Sequence, residues 1–332
     1  MKIAVDAFGG DNAPLEIIKG AALAQKEYGV GIILTGDEKI INKCICDNGL
    51  EFNDLEIIHT DDVISMHDKP TSILKAHKEC SMAVALNAVA DGRADAFVSA
   101  GSTGAVVAGG TFIIKRIKGI KRPALASMIP GLERDYMLMD MGANAECRPE
   151  MLLQFGIMAH AYLEAVEGIE YPEIALLNIG TEETKGGELQ LEAYKLLENT
   201  HINFMGNVEA REVPRGVADA IITDGFTGNI VLKLLEGTFK TVFKMLKRVF
   251  FKNFITKVAT LCLKGGLNDL KKQLDSSEIG GAMLMGVQKP VVKAHGNSDA
   301  KAIKNAINQA RQLVDANIVA AIESNLSGLP EE

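Results

Sequence analysis

The chain has 332 residues, 47% of them hydrophobic and 23% charged, with a net charge of −8. That is enough apolar chain for one large α/β unit or two domains, and the acidic balance argues against general coating of nucleic acid. No run reaches the ~18 consecutive apolar residues of a membrane span, and five scattered cysteines (Cys44, Cys46, Cys80, Cys147, Cys262) fit reduced cytosolic thiols rather than a disulfide framework.

The opening MKIAVDAFGG goes straight into a strand and a glycine turn, so a secretory leader is not expected. Lys2–Asp6 predicts the first strand, and Pro14 suits the first turn of the following helix. Gly31–Leu34 and Leu55–His59 predict two more strands. Pro70–Ala90 predicts a helix leading into a strand at Ala96–Ser99. Tyr136–Asp140 is short and apolar and runs into DMGAN, and Met151–Val166 has helical spacing. Ile174–Ile179 predicts a strand ending in NIGTEETKGG, and Leu189–Glu198 a helix. Ala220–Thr223 and Val291–Ala294 complete the strands, and Ala300–Asn325 predicts one long C-terminal helix or two. Strands alternating with helices imply an α/β fold whose mostly parallel sheet is covered on both faces. Ligands of such sheets gather at the carboxyl ends of strands. The phrases rich in Gly, Asn and Asp all follow predicted strands, so they are expected to converge on one crevice. No low-complexity linker appears, and 1–332 reads as a single unit.

One phrase occurs twice. Residues 94–107 read ADAFVSAGSTGAVV and residues 218–231 read ADAIITDGFTGNIV. Each is a short apolar run, then G-x-T-G, then an apolar stretch suited to open a helix. Such a turn aims unpaired backbone N–H groups at one spot, where the helix dipole favours an anion. The repeat reads either as duplication or as one local solution used twice. Two such turns point to a substrate carrying phosphate.

Charge is uneven. Between Lys233 and Lys272 stand ten Lys or Arg against Glu236 and Asp269, so 233–272 is a basic segment on an acidic body. Phe239, Val242, Phe243, Leu246, Val249 and Phe250 recur at spacings of three and four, an apolar helical face flanked by Lys240, Lys244, Lys247, Arg248 and Lys252. It reads either as a surface or dimer helix, or as an interfacial helix touching membrane through residues such as Phe250 and Ile255. His59, Asp61, Asp62, His67 and Asp68 are dense in potential ligands but lack regular His spacing, and a solvated loop is expected there rather than a metal site.

Six phrases stand in order: AFGGDNAP, SAGSTGA, DMGAN followed by Pro149 and QFGIMA, LLNIGTEETKGG, TDGFTGNIVLK and GGAMLMGVQKPVVKAHGNSD. Together they resemble the acyl-ACP:phosphate acyltransferase family of bacterial phospholipid synthesis, from Met1 to about the C-terminal helix. The resemblance implies a homodimeric Rossmann-like three-layer α/β/α fold, similar to the isocitrate and isopropylmalate dehydrogenases. It implies formation of acyl phosphate from acyl-acyl carrier protein and inorganic phosphate, without a nicotinamide or other cofactor. It also implies a cytoplasmic protein lying peripherally on the membrane, whose product feeds a membrane acyl-phosphate:glycerol-3-phosphate acyltransferase. Phe8, Ser102 and the segment KPTSILKAHKECSM depart from the family pattern, which leaves the role of residues 75–80 open.

The residues suit that chemistry. Phosphate attacking a thioester needs an anion cradle and a donor for the tetrahedral oxyanion, and a thiol of pKa about 8.5 leaves readily as thiolate. Catalysis is then mostly positioning and electrostatics. Backbone amides around Gly101, Thr103 and Gly104, with Ser99 and Ser102, are expected to hold one anionic group. Lys185 supplies charge, the Asn229 amide donates to the thioester carbonyl, and His295 contacts phosphate or the departing thiol. Asp140 and Asn144 orient ligands. Gly9, Gly10 and Asp11 form the first turn, and Asp224, Gly225, Thr227 and Gly228 the second G-x-T-G, with Asp224 a turn residue or an orienter rather than a base. Two competing functions are a nicotinamide-dependent dehydrogenase, which lacks the strand–GxGxxG–helix unit it needs, and a non-catalytic membrane or carrier-protein adaptor using 233–272.

Overall fold

The computed structural model describes residues 1–254 and 280–327, with 256, 257, 260, 263, 265–267 and 270 between them. Ile255, Cys262 and much of the later part of the basic segment lie outside the described residues. The described strands are β1 (Lys2–Asp6), β2 (Gly31–Gly36), β3 (Leu55–His59), β4 (Ala96–Ser99), β5 (Ala124–Ile129), β6 (Tyr136–Met139), β7 (Glu173–Asn178), β8 (Asn203–Glu209), β9 (Ala220–Ile222), β10 (Gly281–Met285) and β11 (Val291–Ala294). They form one sheet in the order β3-β2-β1-β4-β11-β10-β5-β6-β9-β7-β8.

The sheet is parallel in two blocks of opposite polarity. Strands β3, β2, β1, β4 and β11 run one way. Strands β6, β9, β7 and β8 run the other way. Antiparallel pairings of β10 with β11, β10 with β5 and β5 with β6 join the blocks. Neither β5, β8 nor β10 is foreseen by the alternation of the sequence. β10 begins on Gly281 and is carried by Met and Leu, without the β-branched residues that mark strands.

Helices cover both faces. Ile3, Val5, Ile32 and Leu34 point to a core shared with α1 (Leu15–Tyr28), α5 (Pro149–Ala165) and α8 (Ala300–Asp315). Ala4 and Ile33, on the opposite faces of the same strands, join the core beneath α3 (Ser81–Ala90) and α4 (Thr103–Gly109). The remaining described helices are α2 (Glu38–Asp47), α6 (Glu188–Glu198), α7 (Gly225–Phe250) and α9 (Ile318–Leu326). The expected long helix at Pro70–Ala90 is instead a 3-10 turn, Pro70–Leu74, then α3. Ser72 carbonyl accepts from both Lys75 and His77 amides, and the His77 ring turns to Asp62, so the chain leaves the helical path. The C-terminal helical stretch is two helices, broken at Asn317 in the left-handed region.

Helix α7 runs unbroken from the second G-x-T-G into the basic segment and buries only Gly225, Gly228 and Leu235. Of the apolar face read from the sequence, Phe239, Phe243, Leu246 and Phe250 are half-buried, while Val242 and Val249 are exposed. Among the described residues, no helix is long and apolar enough to cross a membrane.

Candidate active site

The turns after β1, β4 and β11 meet at the carboxyl edge of the first block. Asp6 closes β1 and is buried. Its oxygens accept from the hydroxyls of Ser81 (2.6 Å) and Ser99 (2.7 Å) and from the Phe8 amide (3.3 Å). Ser99 also accepts from the Gly101 amide at 2.9 Å. Gly9 packs into this knot. A Cβ there would lie 2.4 Å from Asp6 and 2.7 Å from the Gly101 nitrogen, so no side chain fits. The Asp11 amide donates to Gly296 carbonyl at 2.7 Å, tying the first turn to the loop carrying His295. His295 and Asp11 are exposed, as is Thr103. Ser102 is the N-cap of α4, and its side chain makes no capping bond. Gly104 packs against the Pro70 ring.

The second G-x-T-G is built differently. Asp224 caps α7, accepting from the Thr227 amide (2.9 Å) and hydroxyl (2.7 Å). The Gly225 amide donates to Asn144 carbonyl at 2.8 Å, and the Gly228 amide to Asp224 carbonyl at 2.9 Å. Gly228 is required by packing, since a Cβ would sit 1.9 Å from Asp140 carbonyl oxygen. Asp140 is fully buried and accepts from the amides of Leu125, Gly142, Ala143 and Asn144 and from the Asn144 side chain. Its carboxylate therefore orders the loop after β6. The Asn144 side chain is committed to Asp140 and to Pro123 carbonyl. Asn229 lies in the first turns of α7, half-buried with its Cβ against Gly142.

Lys185 sits in a third group, the loop after β7. Asn178, missed in the sequence, organises it: its side chain donates to Lys185 carbonyl at 3.0 Å and accepts from Ile179 amide at 2.8 Å. Gly186 turns with φ 98° against Asn178. The Lys185 ammonium is half-exposed and 3.8 Å from Glu182, a loose pair that leaves it available. The Thr103, Thr227 and Lys185 turns thus lie in three separate hydrogen-bonded groups, the last two in the same parallel block.

Nucleophilic side chains are muted. Cys147, beside Asn144 and Gly225, is pushed up to about 12 by burial, and Cys80 to about 11. Both are neutral thiols near pH 7. In the acidic loop, His77 pairs with Asp62 at 3.0 Å and Asp68 at 3.7 Å, and His59 with Asp61 at 3.4 Å. These contacts are internal to the loop, and among the described residues no group of His, Cys, Asp or Glu is arranged to hold a metal.

The remaining charge at the first edge is Lys293 on β11, which the sequence reading passed over. It is buried, beside Ser99 in register. A charged residue inside an apolar strand, as in PVVKA and KIAVD, is the signal that finds it, since such groups are buried only when paired.

A family model described as fatty acid synthesis protein matches residues 1–321. A phosphate acyltransferase of Alkaliphilus oremlandii is 47% identical over 332 residues, covering 100% of this chain and 99% of that one. One of Listeria innocua is 49% identical over 329 residues, covering 98% and 96%. Among solved structures, a phosphotransacetylase from Streptococcus pyogenes superposes with a TM-score of 0.61 at 18% identity, covering 98% of this chain and 94% of that one. A 4-hydroxythreonine-4-phosphate dehydrogenase from Klebsiella pneumoniae does so with a TM-score of 0.56 at 11% identity, covering 95% and 99%. These two likenesses show the fold alone. The chain belongs to the phosphate acyltransferase family of fatty acid and phospholipid synthesis and is an acyltransferase.

Proposed function

Proceeding from that membership, we propose that this chain transfers an acyl group from acyl carrier protein to inorganic phosphate. A phosphate oxygen attacks the thioester carbon, the tetrahedral oxyanion forms, and the carbon–sulfur bond breaks to release the carrier thiolate and acyl phosphate. The product feeds glycerol-3-phosphate acylation by a membrane acyltransferase. The observation that carries this reading is the open turn after β4. No side chain caps α4, and Gly9, Ser99 and Gly101 hold its entry rigid. Phosphate is largely ionised near neutral pH, so no general base is required. The neutral Cys147 and the fully hydrogen-bonded Asp140 favour direct transfer over an acyl-enzyme.

Sheet twist supports a common crevice for the three groups. In a flat sheet the carboxyl ends of the two blocks would lie at opposite edges. Seven steps separate β1 from β7, and at about 20° per strand the direction turns by about 140°. On this reading that rotation turns the ends of β7 and β9 toward the side of β1 and β4. Lys185 then supplies charge to phosphate or the oxyanion, Asn229 donates to the thioester carbonyl, and His295 contacts phosphate or the thiol.

Mixing the protein with a long-chain acyl carrier protein and phosphate should release free thiol and acyl phosphate together. Thiol release indifferent to phosphate would overturn the reading. Lys185→Ala and Asn229→Ala should each cut turnover on the order of a hundredfold at unchanged melting temperature, and normal turnover in both would remove the assignment. For the basic segment, the reading is a dimer that rests on anionic membrane and receives the acidic carrier. Exposed Val242, Met245 and Val249 stand among its lysines. Phe250→Asp should release the protein from anionic vesicles, whereas retained binding would favour a dimer-core role.

A further inference from the structure

We propose that Lys293 is the buried counter-charge of the phosphate cradle: its ammonium pins the turns after β4 and β11 and cancels Asp6, so that the edge they form accepts an anion. This rests on the acyltransferase reading above.

The geometry is specific. Lys293 Nζ donates to Ala100 carbonyl at 3.3 Å and to Ala294 carbonyl. One of those oxygens lies between Ser99 and Gly101 and the other next to His295, so a single ammonium joins both turns. The third turn is joined through charge, because Asp6 and Asp11 are the carboxylates that act on Lys293. The state of Asp6 follows from its partners. Ser99 already accepts from Gly101, so its hydroxyl proton goes to Asp6, and Ser81 donates likewise. Both Asp6 oxygens are acceptors, the pattern of a carboxylate. Burial pushes Asp6 up and pulls Lys293 down to about 8, the mutual cost of two charges held away from water. Asp6 is held by its hydroxyl and amide donors, and Lys293 by two carbonyls and by the charge of Asp6 and Asp11.

The consequence is functional. An anion-binding turn built directly on a lone buried carboxylate would repel phosphate, and the ammonium removes that repulsion. In the same loop, buried Ser298 has a hydroxyl with no partner among the described residues, a polar atom that a water or a ligand oxygen would satisfy. Lys293 acts here as a positioning residue, through the turns and through Asp6.

The test is a charge cycle read in the phosphate-dependent thiol-release assay. Lys293→Met should raise the KM for inorganic phosphate at least tenfold while the KM for the acyl carrier protein stays within about twofold. Asp6→Asn in that background should bring the phosphate KM back toward wild type, although it restores no contact to Ala100 or Ala294. A purely structural lysine would show no such rescue. If Lys293→Met does not fold, the double variant and Lys293→Arg, which keeps the charge, carry the comparison. An unchanged phosphate KM in a folded Lys293→Met, a double variant as impaired as the single, or, where Lys293→Met does not fold, a phosphate KM about tenfold higher in Lys293→Arg, overturns the proposal. Absence of phosphate-dependent release by the wild type would instead overturn the acyltransferase reading.

Discussion

The two G-x-T-G turns start from the same phrase and end differently. At their amino ends they do the same work. Asp95 accepts from the amide of Lys2 at 2.8 Å, and Asp219 from the amide of Glu173 at 2.7 Å, each holding the first residue of the neighbouring strand. At their carboxyl ends the difference that reaches the helix start is Asp224, which stands where the first phrase has Ala100. Asp224 caps its own helix, so α7 starts at Gly225 and its early amides are consumed. Ala100 has nothing to offer a helix, and α4 starts two residues later in the phrase, at Thr103, without a side-chain cap. An orphan helix start is satisfied by a side chain, water or ligand. The second turn is therefore a closed joint that sets the direction of α7, and on the proposed function the first is the one that receives the anion.

The sharpest way to break this contrast is Gly228→Ala. The added carbon meets backbone at Asp140, which does not yield, so the joint should lose about 3 kcal/mol, read from the urea midpoint. Equal stability to wild type would mean the joint is not tight. Next is Ser102→Asp, which gives α4 the cap that α7 already has. Phosphate KM should rise on the order of a hundredfold through like-charge repulsion. A folded Ser102→Asp enzyme with ordinary phosphate affinity would place the anion elsewhere. Asp224→Ala should cost about 1 kcal/mol and only modest activity, because its acceptors serve the helix. The smallest effect is in pH. Lys293 is held near 8 against an unfolded value of 10.5, so between those values the unfolded chain binds more protons and this group makes stability rise with pH. Over the same window its ammonium is lost while Asp6 and Asp11 face it, so phosphate KM should climb above pH 8, with the inflection moved up in Lys293→Arg.

Much of the fold was legible locally. β1, β3, β4 and β11 lie where short apolar runs meet turn residues, and α5 and α6 begin within two residues of their expected starts. Site glycines were legible as turns, but not their reasons: Gly9 serves a close approach to Asp6, and Gly228 a close approach to Asp140. Asp140 and Asn144 read as ligand-orienting groups, and the structure adds that the Asp140 carboxylate and the Asn144 amide nitrogen hold the loop after β6.

The sequence alone determined the family and the positions of the strand-end turns. These depend on neighbours a few residues apart, where glycine, proline and capping residues act directly on the backbone. Tertiary structure decided the reversal of polarity at β5 and β10, the different starts of the helices after the two repeated turns, and the burial of both Asp6 and Lys293 at one sheet edge. Those depend on groups brought together from distant parts of the chain, whose burial and charge have no local period to betray them.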